Sequence, residues 1–228
     1  MIILPLSLLG FGFLLGIRHA FDADHIAAVS NILIKQHSIK KSSLLGMFWG
    51  FGHTISLLAV GLIVLLLKIT IPERIALSLE SIVGFLLVFL GTNALITINK
   101  NKMHIHRHNH SGNEHIHFHS HKNTKQHQHE HKTFCQSLFI GVIHGLAGSA
   151  ALTLLVLTNI NSVLAGLAYI LLFGIGSIIG MVLISSIMSL PFILISNKLE
   201  KTQKILGISA GLISAFIGWS MIYQNFGL

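Results

Sequence analysis

Apolar runs of the length needed to cross a hydrocarbon core, about 20 residues each, recur along this chain. Short segments that collect almost all of the charge separate them. Of 228 residues, 52% are hydrophobic and only 10% charged, where a soluble domain carries about 25% charged residues. A transmembrane barrel would show alternating segments of about 10 residues, and none is visible. The expected fold class is therefore an all-α integral membrane protein of about six transmembrane helices. The segments read as 2–34, 44–67, 75–98, 134–157, 163–195 and 205–223. The first, about 33 residues at 1.5 Å per residue, is too long for one straight span, so a kink or break is expected in it.

Basic residues orient the spans. Lys35, Lys40 and Lys41 follow the first, and Lys198, Lys201 and Lys204 follow the fifth. On the opposite side the short connections offer only Lys68 and Arg74. The long connection after the third span adds further Lys and Arg to the first side. This places both termini outside a cell membrane and the central loop in the cytoplasm. A formal charge of +8 so distributed reports topology, and no nucleic-acid partner is expected; membrane lipid is. Cys135 is the single cysteine, so no internal disulfide can form. The N-terminus lacks the basic region of a classical signal peptide.

The two halves resemble each other. Leu15-Gly16-Ile17-Arg18-His19-Ala20 aligns with Ile140-Gly141-Val142-Ile143-His144-Gly145 at an offset of 125 residues. Gly50-Phe51-Gly52-His53 aligns with Gly174-Ile175-Gly176-Ser177 at an offset of 124. Three spans per half is an odd number, so the halves would insert with opposite orientation. Inverted repeats with a site near the midplane, at broken helices, are a recurring transporter design. The expected organisation is a first three-span repeat over 1–98, a His-rich cytoplasmic loop over 99–132 and a second three-span repeat over 133–228.

Within the first apolar segment stands His19-Ala-Phe-Asp22-Ala-Asp24-His25. Ionisable groups in a membrane span are costly and mark function by default. Carboxylate and imidazole together suit divalent first-row metals. On a regular helix His19, Asp22 and His25 share one face, while Asp24 points about 140° from His19. Either Asp22 completes a site with the two histidines, or the helix unwinds near the motif. A purely structural role would pair one aspartate with Arg18. His53, in WGFGHTIS, and His144, in GVIHGLAGSAAL, occupy other spans among small residues and join the candidate metal ligands, which are His19, Asp22, Asp24, His25, His53 and His144. Thr92 and Asn93 are expected to serve packing, and His37 to be solvated. Eleven of the sixteen histidines lie in 104–131. That tract has too little apolar content to fold by itself, and its redundant spacing suits loose metal buffering rather than selective binding.

These residues carry a family resemblance. His19-x4-Asp24-His25 resembles the HX4DH signature of the nickel/cobalt transporter (NiCoT/NicO) superfamily. RHAFDADHIAAVSN is similar to its fuller form, and WGFGHTIS to the family's second motif. The resemblance covers about 50 residues closely. It implies a polytopic permease for Ni2+ or Co2+, with His19, Asp24 and His25 essential for cargo recognition. Classical members are longer, with about eight spans and acidic motifs in later spans; here the second half has no aspartate. HGLAGSAAL and FGIGSIIGM resemble instead the smaller, urease-accessory-protein-H-like branch. That branch implies nickel-enzyme maturation proteins, urease-related, as partners.

The function expected is nickel (or cobalt) uptake through an intramembrane His/Asp site, by alternating access between the repeats. Ni2+ or Co2+ is cargo, and no prosthetic group or enzymatic activity is expected. One alternative is efflux, with the His-rich loop collecting cytoplasmic metal. Another, of a different class, is a haem-binding membrane electron-transfer protein using His19, His25, His53 or His144 as axial ligands; it leaves both aspartates unexplained.

Overall fold

A computed structural model describes residues 6–34, 36, 38–100, 106–110, 113–117, 128–160, 162–196 and 200–226. Seven helices account for most of them: α1 (Leu6–His19), α2 (Ala23–Leu33), α3 (Ile39–Leu67), α4 (Glu73–Lys100), α5 (Gln128–Asn159), α6 (Val163–Ser196) and α7 (Glu200–Phe226). Among the described residues, four stretches are long and apolar enough to cross a membrane: Ile39–Leu67, Glu73–Asn99, Val163–Leu194 and Lys201–Phe226. A shorter apolar helix spans Thr133–Gly148. The described apolar segments are all helical, as expected. The first apolar segment is two helices, parted at residues 20–22.

Within the His-rich tract, two strands, β1 (His106–His110) and β2 (Asn113–His117), pair antiparallel with His108 opposite His115. The sequence reading expected no structure of its own in this tract. Histidine at every second position follows the two-residue period of a strand, which a reading based on apolar content overlooks. His37 lies outside the described residues.

Helices apolar all round distinguish their faces by size rather than polarity. On α3, Phe51, Ile55, Leu62 and Leu66 are exposed, as membrane-facing residues should be, while Gly46, Gly50, Gly52 and Gly61 face other helices. Small residues let backbones approach closely, the main packing device where lipid removes any hydrophobic drive between helices. Thus α3 packs against α5 and α6, α1 against α6, and α4 against α7. A Cβ on Gly16 of α1 would fall on the carbonyl of Phe173, and one on Gly176 of α6 on the carbonyl of Phe13. At α3–α5 a Cβ on Gly141 would fall on the carbonyl of Trp49, and one on Gly52 on the carbonyl of Leu138. Helix-to-helix hydrogen bonds reinforce these seams: Ser137 Oγ donates to the Leu45 carbonyl at 2.7 Å and Ser214 Oγ to that of Leu87 at 2.9 Å. At its far end α3 stops on Lys68 in a left-handed conformation (φ 50°), whose N–H returns to the Val64 carbonyl, as helix C-termini commonly do.

Thr92 and Asn93 lie on the exposed face of α4 rather than in a helix seam. The Thr92 hydroxyl donates to the Val88 carbonyl at 2.7 Å. That bond satisfies its polar group locally and allows it to face outward.

Candidate metal centre

The helix break places the site. After His19 the chain turns tightly, with Phe21 N–H on the Arg18 carbonyl at 2.9 Å and Asp22 N–H on the His19 carbonyl at 3.0 Å. Asp22 is extended (φ −64°, ψ 150°) and α2 starts behind it. An aspartate in that position usually caps the new helix with its side chain, but Asp22 makes no such bond. Its Oδ2 instead accepts the His19 Nδ1–H at 2.7 Å. One residue into α2, Asp24 Oδ1 accepts the Nδ1–H of His25 at 3.1 Å. Both carboxylates therefore serve imidazoles, and the structural alternative of a pair with Arg18 is not the arrangement found.

The break also removes the conflict that a regular helix poses. His19 ends α1, His25 sits in the first turns of α2, and His53 projects from the middle of α3. One ring nitrogen from each lies within 4.8 Å of the others. Ring centroids are 4.7 Å apart for His19–His25, 5.1 Å for His19–His53 and 5.4 Å for His25–His53. His25 and His53 are buried, while His19 retains 24% of its side-chain exposure and gives the cluster an open side. His25 Nε2 and both nitrogens of His53 are buried without a hydrogen-bond partner. Buried polar atoms in proteins are nearly always paired, so unpartnered nitrogens on His25 of α2 and His53 of α3, each with one nitrogen in the three-histidine group, suit an imidazole-bound ion. Imidazole nitrogen suits nickel, cobalt, copper and zinc alike.

His144, on α5, stands beside His25 at a ring separation of 5.0 Å but outside the three-histidine group. Its Nδ1–H donates to the Ile140 carbonyl at 3.1 Å, and its Nε2 is buried and unpartnered. Asp22 and Asp24 reach the group only through the rings they hold.

Three residues escaped the sequence reading. Trp49, fully buried, lies 5.0 Å from the His144 ring and 6.1 Å from His25. Phe173 of α6 stands 5.5 Å from His19. Gly148 of α5 walls the cluster, since a Cβ there would meet His19 Nε2 at 3.6 Å and His53 Cε1 at 3.9 Å. Trp49 was findable, because four residues before His53 is the same helical face. Phe173 and Gly148 come from distant helices, and no local pattern marks them.

Comparison with known proteins agrees in its direction. The NicO family model, described as "High-affinity nickel-transport protein", matches residues 5–222. The chain is 39% identical over 219 residues to the "Urease accessory protein UreH" of Bacillus sp. (strain TB-90), covering 96% of this chain and 92% of that protein. It is 39% identical over 102 residues to the "Nickel transporter NixA" of Staphylococcus aureus (strain NCTC 8325 / PS 47), covering 40% of this chain and 30% of that one. It is 31% identical over 101 residues to the "High-affinity nickel transport protein" of Cupriavidus necator, covering 43% and 28%. No solved structure matches the chain.

Proposed function

The chain belongs to the NicO family of high-affinity nickel-transport proteins, metal permeases rather than enzymes, and from that premise we propose that it imports Ni2+ (or Co2+) through an intramembrane site of His19, His25 and His53. The observation that carries the site is the convergence of three ring nitrogens within 4.8 Å at a helix break. Asp22 and Asp24 hold two of the rings, and His144 stands next to His25 as a fourth station. Mutual ring contact at 4.7–5.4 Å favours a small ion over haem, whose flat macrocycle needs an open slot between its axial ligands.

Six spans support this passage in our reading: α1 with α2 as a broken first span, then α3, α4, α5, α6 and α7. They form two inverted repeats, residues 1–98 and 133–228, joined by the His-rich loop. The glycine contacts support the repeat. At offsets of 124 and 125, Gly16 against Phe173 becomes Gly141 against Trp49, and Gly176 against Phe13 becomes Gly52 against Leu138. Each contact exchanges the halves, as a two-fold axis through the bundle would require. Rocking one repeat against the other about a fixed site then exposes it alternately to the two faces. The termini face outward and the loop faces the cytoplasm, where it would buffer arriving metal. Similarity to a protein named as a urease accessory factor suggests delivery toward nickel-enzyme maturation.

The test is Ni2+ flux into proteoliposomes, with wild type compared with His25→Ala and His53→Ala. Loss of flux in both is expected, and unchanged flux in both would reject the site. For direction, cells lacking the protein should hold less nickel; accumulation would instead assign efflux.

A further inference from the structure

Three of the four intramembrane histidines have Nδ1 engaged: His19 by Asp22 at 2.7 Å, His25 by Asp24 at 3.1 Å and His144 by the Ile140 carbonyl at 3.1 Å. For His144 the acceptor is a carbonyl, which cannot donate, so Nδ1 must carry the proton and Nε2 the lone pair. An ionised carboxylate is likewise acceptor-only, and it imposes the same tautomer on His19 and His25. His25 Nε2 is buried and unpartnered. His19 Nε2 faces the glycine gap at Gly148.

Building on the reading of His19, His25 and His53 as ligands, we propose that Asp22 and Asp24 are positioning residues that never coordinate the ion: each locks one imidazole with Nε2 toward the cargo. The geometry keeps the carboxylates away. The two ring nitrogens point in nearly opposite directions, so an ion at about 2.0–2.1 Å from Nε2 lies about 6–7 Å from an oxygen bonded to Nδ1. The second oxygen of the same carboxylate is too close to the first to span that gap. Carboxylate–imidazole–metal triads of this kind fix ring orientation and raise ligand basicity. They also keep the full negative charge off the ion, which suits a site that must release its cargo.

His53 is the exception. Neither of its nitrogens has a partner, so no hydrogen bond fixes its tautomer, while burial against the His19 and His25 rings holds its position. The site thus combines two ligands of fixed tautomer with one whose tautomer the ion can select. The acidic half of the motif acts from behind it.

The experiment uses the full chain in nanodiscs with Ni2+ alone as the probe, reading affinity by calorimetry and ligand type by nickel X-ray absorption. Asp22→Ala and Asp24→Ala should each weaken binding about 10–100-fold with the imidazole signature of the bound nickel unchanged. Asp22→Asn and Asp24→Asn, whose amide oxygen still accepts the Nδ1–H, should recover most of that loss. Disappearance of an oxygen ligand from the spectrum of either Ala variant would overturn the proposal, as would Asn variants no better than Ala. His25→Ala and His53→Ala separate this outcome from failure of the ligand reading itself. If those two bind Ni2+ like wild type, the histidine site falls and this inference with it.

Discussion

Replacing Gly16 or Gly141 with alanine tests the helix packing that frames the site. In isolation the change favours a helix by up to about 1 kcal/mol. In this structure the added Cβ falls on the Phe173 carbonyl for Gly16 and on the Trp49 carbonyl for Gly141. A carbon–oxygen contact settles at about 3.3–3.6 Å, so the helices must part by about an ångström. With the Cβ placed so far inside contact distance, the overpacking cost falls in the upper part of its usual range, about 2–3 kcal/mol, which outweighs the propensity gain and leaves a net loss of about 1–2 kcal/mol. Gly10 is the control, because nothing lies within 4 Å of its added Cβ, and Gly10→Ala should be neutral or slightly stabilising. Thermal unfolding in detergent should show the midpoint falling by about 2–8 °C for Gly16→Ala and Gly141→Ala. The two falls should be similar if the proposed repeat holds, since both Cβ positions meet a backbone carbonyl of a facing helix in the same way. Wild-type midpoints for both variants would refute the close approach. A large fall in only one would refute the equivalence of the two halves.

Other outcomes follow from the same geometry. Gly148→Val adds bulk beside a Cβ position 3.6 Å from His19 Nε2; it should abolish nickel binding while thermal stability stays near wild type, and retained calorimetric affinity would contradict the placement of Gly148. Imidazole must be unprotonated to bind metal, so acidification adds a proton competitor and weakens binding. Nickel titrations from pH 8 to pH 5 should show affinity falling steadily, and a flat profile would exclude histidine ligands. Deleting 101–127 leaves every site residue on its helix. The variant should keep the high-affinity site in equilibrium dialysis and lose only weak, multiple binding; loss of the tight site would place it in the loop instead.

The apolar spans and the broken first segment were legible because length and composition are local properties. His19, His25, His53 and His144 could be singled out as candidates because histidine in an apolar span has few other uses, and the structure draws the first three into one cluster. The hydrogen bonds of Asp22 and Asp24 could not be read from the sequence. A regular helix turns Asp24 away from His19, and the geometry changes only once residues 20–22 leave the helix. Whether a carboxylate then faces an ion or the back of a ring depends on side-chain torsions, which sequence spacing does not encode. The Trp49–His144 and Phe173–His19 contacts required the packing of α3 on α5 and of α1 on α6, which glycine spacing hints at without specifying partners.

Those two aromatic contacts sharpen what the proposed repeat does. Phe173 and Trp49 are separated by the same offset of 124 that relates Gly176 to Gly52, and His144 follows His19 by 125. Each half therefore sets its own histidine against an aromatic ring supplied by the other half. The chemistry does not follow the same symmetry. Positions equivalent to Asp22, Asp24 and His25 are Ala147, Ser149 and Ala150, and the position equivalent to His53 is Ser177, whose hydroxyl is buried and unpartnered. Helix α5 also runs unbroken through the stretch where α1 gives way to α2. A helix break opens backbone groups to a cavity and is tolerated in a membrane only where it lines one, so under the proposed site it belongs with the half that carries His19, His25 and His53. The other half would keep the packing symmetry that the proposed rocking needs, with His144 beside His25. Two near-equivalent conformations could then share one asymmetric ion site.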